Sequence, residues 1–310
     1  MEPERLVADI GGTNARIGLA ANGSVRADTV RTYRNADFSS LEALLKAYCG
    51  DRQDIPHDAA LAAAGPKSGD AIRLTNRDWT ILPRTLRDAL GFRRVGLVND
   101  LEALGLSLPQ IAAHSATIYH GREDGPQSLV VGIGTGFNVC PALRLSTGAS
   151  VTLSSETGHA SLPSDIAALV APFGVQARVF EDIFSGSGFL ALFRATSGID
   201  VTDPNAANRL MSEEAKATSR FERLYGACLA RLVRHLTSCF LPTGGIYFAG
   251  SVARSALRAS FTVEELRALR GPSVLGEDWI PAIRLVEDDE AALTGLAQLS
   301  LSESDAVTRN

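Results

Sequence analysis

The chain has 310 residues, 45% of them hydrophobic and 21% charged, with a net charge of −5. That length buries a large core or two ordinary domains, and the composition is that of a globular protein. The negative balance offers no basic field for a nucleic-acid backbone, and no apolar run is long enough to span a bilayer.

The first stretch, Leu6 to Ala20, reads as two apolar strands joined by a glycine turn: Leu6 to Ile10, then Gly11-Gly12-Thr13-Asn14, then Ala15 to Ala20. A third strand spans about Val25 to Tyr33. Ser39-Ser40-Leu41-Glu42 has the spacing of a capping box, and Leu41, Leu44, Leu45 and Tyr48 follow at helical spacing up to Gly50. Ala59 to Ala64 reads as a small-residue strand, Leu82 to Leu90 as a helix, and Val95 to Val98 as a strand ending at Asn99-Asp100, with a helix from about Leu101.

From Ser128 the pattern restarts. Leu129 to Ile133 is a strand leading into Gly134-Thr135-Gly136, Phe137 to Leu145 is its hairpin partner, and Ser150 to Ser154 is a third strand. Asp203-Pro204 is a helix N-cap and first-turn pair. Phe221, Leu224, Tyr225, Cys228, Leu229, Leu232, Val233 and Leu236 form one apolar helical stripe, and Gly244 to Val252 reads as a strand. A meander with a glycine turn thus occurs twice, which predicts two related α/β halves with both turns aimed at a cleft between them.

The N-terminus passes from Arg5 into a strand with no charged leader and apolar stretch ahead of it, so the expected compartment is the cytoplasm. The four cysteines, Cys49, Cys140, Cys228 and Cys239, sit in apolar patterns without a C-x-x-C pair, and are expected as buried thiols rather than as disulfides or metal ligands.

Glycine turns let a backbone approach a ligand closely, and their successive N–H groups form an anion-binding nest. Asp9 beside the first turn repels a bare phosphate but holds a hydrated Mg²⁺ that bridges phosphates, so the pair of turns fits a Mg–nucleotide clamp. A plain hairpin is the other reading of each turn. No P-loop or dinucleotide fingerprint is present. Asp100 at a strand end beside Asn99 suits a general base acting on a hydroxyl, or else the N-cap of the next helix. Glu156 with His159, and Glu181 ahead of Ser185-Gly186-Ser187-Gly188, suit a polyhydroxylated ligand, or else are polar side chains that face only solvent.

In this order, Asp9-Ile10-Gly11-Gly12-Thr13-Asn14-Ala15-Arg16, Leu74-Thr75-Asn76-Arg77-Asp78-Trp79, Val98-Asn99-Asp100, Gly132-Ile133-Gly134-Thr135-Gly136, Glu156-Thr157-Gly158-His159, Glu181 and the Gly244 to Gly250 strand resemble the bacterial glucokinases of the hexokinase-like type. These belong to the actin/hexokinase/heat-shock ATPase superfamily, and the resemblance covers nearly the whole chain. It implies two actin-like, RNase H-like α/β domains related by duplication, a smaller one of residues 1–108 plus 292–310 and a larger one of 109–291. It implies transfer of the ATP γ-phosphoryl group to the 6-hydroxyl of glucose, with ATP and Mg²⁺ required. Asp100 is then the catalytic base, and Asn76, Asn99, Glu156, His159 and Glu181 bind sugar hydroxyls. Asp9 positions Mg²⁺ through water. Gly11, Gly12, Thr13 and Asn14, with Gly134, Thr135 and Gly136, cradle phosphates, and Gly250 lies near the adenosine. A homodimer is implied, with no nucleic-acid or membrane partner. Three positions depart from the family's usual glycine, namely Asn138, Ser155 and Ser251. A kinase for another hexose, a phosphoanhydride hydrolase and a non-catalytic sugar-sensing regulator are the alternatives on the same fold.

Overall fold

The computed structural model describes residues 4–50, 56–75, 77–259 and 279–301. The chain divides into two units, Met1–Ile111 with Leu145–Thr152 and Asp288–Asn310, and Ala112–Arg144 with Leu153–Glu287.

The first unit is built on β1 (Arg5–Ile10), β2 (Asn14–Ala21), β3 (Ser24–Arg34), β4 (Asp58–Ala63) and β8 (Arg94–Asn99), in sheet order β3-β2-β1-β4-β8. β1 pairs antiparallel with β2 and parallel with β4, which pairs parallel with β8. Parallel strands covered on both faces carry near-continuous apolar runs, and every residue of β4 is buried. On one face Leu6, Ala8, Ile10, Leu61 and Leu97 pack with Leu41, Leu44, Leu45 and Tyr48 of helix α1 (Leu41–Gly50). On the other face Val7, Ala60 and Ala62 pack with Ala103 of helix α3 (Asp100–Ile111) and with Ala292, Leu293 and Leu296 of the last helix, α10 (Ala291–Gln298). The two helices approach so closely that a Cβ on Gly295 would stand 1.8 Å from the Ala103 carbonyl oxygen. A small sheet of β5 (Lys67–Ser68), β6 (Ala71–Arg73) and β7 (Thr80–Ile81) and helix α2 (Pro83–Leu90) complete the unit; β12 (Ser150–Thr152), whose residues divide with it, is the edge strand of a separate six-stranded sheet.

In the second unit β10 (Gln127–Ile133) pairs antiparallel with β11 (Phe137–Arg144) and parallel with β13 (Ile246–Ala249). β14 (Ile283–Leu285) and β9 (Ala116–Tyr119) follow in the sheet. The hairpin-then-parallel-strand plan of β1, β2 and β4 is therefore repeated, as the sequence pattern predicts. Helices α4 (Ser164–Val170), α5 (Glu181–Phe184), α6 (Gly186–Ser197), α7 (Pro204–Glu213), α8 (Ala215–Phe240) and α9 (Ser251–Ala259) pack with it. The stripe on α8 is core: Phe221 and Tyr225 stack at 5.4 Å, and Phe189 of α6 meets Tyr225 edge-on at 5.1 Å. Such aromatic pairs add to the burial they represent.

Several expectations are corrected in detail. α1 is capped by Ser40, whose Oγ accepts from Ala43 N–H at 3.2 Å, so the Ser39–Glu42 box does not form. The strand expected over Gly244 to Val252 is only Ile246–Ala249, because Gly250 turns out at a φ of 102° and Ser251 already begins α9. The Asp203-Pro204 start of α7 is as expected, with Asp203 Oδ1 accepting from Asn205 and Ala206 N–H. Cys49, Cys140 and Cys228 are buried, as expected, whereas Cys239 is exposed. No helix among the described residues is long and apolar enough to cross a membrane.

Candidate active site

In the first unit the parallel strands end level with one another, Ile10 beside Ala63 and Ala63 beside Asn99. Strand C-termini are where open α/β sheets receive ligands. Gly11 N–H donates to the Asn14 carbonyl at 3.0 Å and closes the turn. A Cβ on Gly11 would come within 3.1 Å of that oxygen, which accounts for the glycine. Asn35, fully buried, holds the turn from below: its N–H donates to the Thr13 carbonyl at 2.9 Å and its Nδ2 to the Gly11 carbonyl at 2.8 Å. The Thr13 and Asn14 side chains are left exposed at the tip, and Gly12 is partly exposed between them and Gly11.

Where β8 passes into α3, the helix cap is Asn99. Its Oδ1 accepts from Leu101 N–H at 3.0 Å, and Glu102 Oε2 accepts from Asn99 N–H at 2.8 Å, a reciprocal capping box. This corrects the reading of Asp100 as the N-cap: Asp100 stands at the first helical position, with one oxygen accepting from Leu101 N–H at 2.9 Å. Asn99 Nδ2 donates to the Gly65 carbonyl at 3.1 Å, and the Asn99 side chain also hydrogen-bonds the Asp100 carboxylate.

Desolvation at the strand ends pushes the Asp100 carboxyl up to about 7, with the nearby Asp9 charge adding to it and hydrogen bonds from Leu101 and Asn99 opposing it. Asp9 is pushed up to about 6, again by desolvation first, with Arg16 opposing and Asp289 adding. Arg16 faces Asp9 across the β1–β2 ladder and lies 3.5 Å from Asp289. The Asp9 charge thus raises the proton affinity of Asp100, Asp289 raises that of Asp9, and the Arg16 guanidinium opposite Asp9 is shared with Asp289. A divalent cation fits this excess of negative charge. A single carboxylate suits Mg²⁺, which keeps several waters and takes phosphate oxygens as its other ligands.

In the second unit three glycine segments converge. Gly134 N–H donates to the Gly136 carbonyl at 3.0 Å, leaving Thr135 exposed at the tip, and Gly186 N–H at the start of α6 donates to the Gly134 carbonyl at 2.7 Å. A Cβ on Gly250 would lie 2.4 Å from the Ile133 carbonyl oxygen and 3.2 Å from Gly134 N. The starts of α6 and α9 therefore stand beside the Gly134–Gly136 turn, and helix N-termini attract anions. α6 is capped by Ser185, whose Oγ accepts from Gly188 N–H at 3.1 Å. At α9 the Gly250 carbonyl accepts from Arg254 N–H at 3.1 Å, so exposed Ser251 is the first helical residue and not the cap.

Glu181 lies against this turn as well. A Cβ on Gly136 would stand 3.0 Å from Glu181 Oε1, and one on Gly158 3.3 Å from Oε2. Glu156 and His159 flank Gly158, with His159 N–H donating to the Glu156 carbonyl at 3.1 Å. Both side chains are exposed. The structure thus gathers Asp9, the Gly11–Asn14 turn, Asn99 and Asp100 in one unit, and Gly134–Gly136, Glu156, His159, Glu181 and Gly250 in the other. Asn76 lies outside the described residues. The supporting residues Asn35 and Glu102 were not singled out from the sequence, although Asn99-x-x-Glu102 ahead of an apolar helix is a visible capping-box spacing.

Among solved structures the chain is similar to a glucokinase from an Antarctic psychrotroph, 26% identical, covering 96% of this chain and 98% of that one with a TM-score of 0.77. It shares its fold with a ROK family glucokinase from Streptomyces griseus in complex with glucose and AMPPNP, 18% identical, covering 95% of this chain and 98% of that one at a TM-score of 0.59. Fold and site define a phosphotransferase of the sugar-kinase class, an ATP-dependent hexose kinase. The chain belongs to the glucokinase family: the family model described as Glucokinase matches residues 6–302. A glucokinase from Sinorhizobium fredii is 28% identical over 316 residues, 97% of this chain and 93% of that one.

Proposed function

We propose that the protein transfers the γ-phosphoryl group of ATP to the 6-hydroxyl of glucose, giving glucose 6-phosphate and ADP. The observation that carries this reading is Asp100, freed from capping by Asn99 and with its carboxyl pushed up to about 7. A general base works best with a proton affinity near the working pH. Asp100 takes the proton from the 6-hydroxyl, and Asn99 beside it is assigned to the sugar hydroxyls from the resemblance. Glu156, His159 and Glu181 accept from and donate to the remaining sugar hydroxyls, with Asn76 assigned there from the resemblance.

The turns Gly11, Gly12, Thr13 and Asn14 and Gly134, Thr135 and Gly136 cradle phosphate oxygens, the Gly11 and Gly134 N–H groups closing the turns, and Gly250 leaves room for the adenosine. Asp9 holds Mg²⁺ through water. When bound, that ion neutralises charge on the phosphates as the phosphoryl group moves. On this reading the enzyme works in the cytoplasm as a homodimer. Support comes from the family membership and from glucose appearing with the similar fold of the Streptomyces griseus enzyme.

The test is a panel of hexoses with Mg–ATP, followed by ADP release and by identification of the sugar phosphate. Glucose is expected to be the best substrate and glucose 6-phosphate the product. ADP release without sugar dependence points to a hydrolase, and preference for another hexose overturns glucose alone.

A further inference from the structure

Asn138 sits on β11 directly across from Gly132, and its side chain is committed to the turn that carries Glu156. Nδ2 donates to the Ser155 carbonyl at 2.5 Å. Oδ1 accepts from Thr157 N–H at 3.0 Å and from Val139 N–H at 2.9 Å, and lies 3.2 Å from Ser155 Oγ. Ser155 Oγ has a single proton, and its shortest contact, 2.6 Å, is to the Val139 carbonyl. It also pairs with Thr157 Oγ1 at 3.1 Å. The residues on both sides of Glu156 are therefore tied to β11 through Asn138 and Ser155. One residue further on, the turn presses so closely on the strand that a Cβ on Gly158 would lie 2.1 Å from the Phe137 carbonyl oxygen. The Glu156 backbone is fixed from both sides while its carboxylate remains exposed.

We infer that Asn138 and Ser155 are positioning residues for the sugar: they hold the Glu156–His159 turn in its binding geometry and set hexose affinity without touching the substrate. The inference rests on the reading of Glu156 and His159 as sugar-binding residues. A pre-ordered turn binds more tightly because less freedom is lost on binding. Thr157 and Ser155 form one network with Asn138, so deleting either partner releases the same segment, and the two deletions should not add.

The experiment compares the parent enzyme with Asn138→Ala, Ser155→Ala, the double variant and Ser155→Thr. Steady-state kinetics with glucose and with ATP is combined with hydrogen exchange at the Thr157 amide in the absence of both substrates. Asn138→Ala and Ser155→Ala are each expected to raise KM for glucose, on the order of tenfold for one lost orienting interaction, while KM for ATP stays as in the parent. Thr157 exchange is expected to speed up in Asn138→Ala. The double variant should be no worse than the worse single one, and Ser155→Thr, which keeps the hydroxyl, should stay close to the parent. Faster exchange or a lower melting temperature with an unchanged KM for glucose overturns the inference and leaves a purely structural pin. If Asn138→Ala does not fold, Ser155→Ala against Ser155→Thr decides the same point. A parent enzyme that phosphorylates no hexose overturns instead the function on which the inference rests.

Discussion

The two glycine hairpins are alike in backbone and opposite in chemistry. Each joins an antiparallel pair whose first strand also pairs with a parallel neighbour, and each is closed by a short backbone bond across the turn. One position before the last residue of the leading strand, however, the first hairpin has Asp9 facing Arg16, and the second has Gly132 facing Asn138. The shared geometry presents backbone N–H groups at both turns. The side chains at one register position then decide the rest: a charged pair that suits a metal ion in the first, a neutral amide that orders a polar loop in the second. The same frame occurs twice, and the residues at equivalent places give the two hairpins different chemistry.

The largest way to break the comparison is at the acid that only the first unit supplies beyond its strands. Asp100→Asn should lower kcat by about 10²–10⁴, the range for a lost general base. Glucose binding followed by calorimetry should weaken far less. Near-normal kcat would return Asp100 to a structural role at the start of α3.

Next comes Asp9 itself. Asp9→Asn removes the charge that distinguishes the first hairpin. It should raise the Mg²⁺ concentration needed for half-maximal rate and lower kcat, with glucose affinity unchanged. A magnesium titration of parent and variant checks this, and identical titrations would make the two hairpins chemically equivalent after all.

A third variant tests position against charge. Asp58 lies at the opposite end of the same sheet, beside Arg5 and Arg94 in register. Burial works against its ionisation, but hydrogen bonds and charge from Arg94, then Arg93, hold its carboxyl below the usual range. An acid with a lowered folded-state value stabilises above its unfolded value and loses that contribution as pH falls through the folded one. Asp58→Asn should therefore cost about 1–3 kcal/mol near neutral pH, as for a lost hydrogen bond to a charged group. The gap between parent and variant should close in acid, with kinetics unaffected throughout. Melting curves across pH give the answer, and a gap that widens in acid would contradict it.

The smallest effect is expected at Ser251. It adds a Cβ and a hydroxyl beside Gly250 at the start of α9, and capping does not occupy it. Contacts to the remote adenosine are shared by ground and transition states, so Ser251→Gly should shift KM for ATP and leave kcat and KM for glucose alone. An unchanged KM for ATP would remove Ser251 from the nucleotide site.

Much of this was legible in the sequence because the signals are local. The two glycine turns, the Asp203-Pro204 helix start and the apolar stripe of α8 each depend on neighbours within a few residues, and each lies where the pattern puts it. Strands β5, β6 and β7 did not announce themselves, since two or three residues are too few to show alternation. Asp100 and Asn99 are both good capping residues, and only the bond to Glu102 shows which one caps. Asn138 and Ser155 were visible as separate departures from glycine. That each is the other's partner across seventeen positions is a fact of the fold, which no spacing rule would disclose.

The close seat of Gly295 on Ala103 has a consequence for the order in which the protein assembles. The sheet of the first unit is complete in sequence by Asn99, yet one of its faces is covered by α10, which begins only at Ala291. Chains emerge from the ribosome N-terminus first, so Val7, Ala60 and Ala62 wait without that cover while nearly two hundred further residues are made. Closing so long a loop is slow, although the added entropy cost grows only weakly with its length. The first unit to be translated is thus the last to be finished, and truncation before Ala291 would leave its sheet half bare.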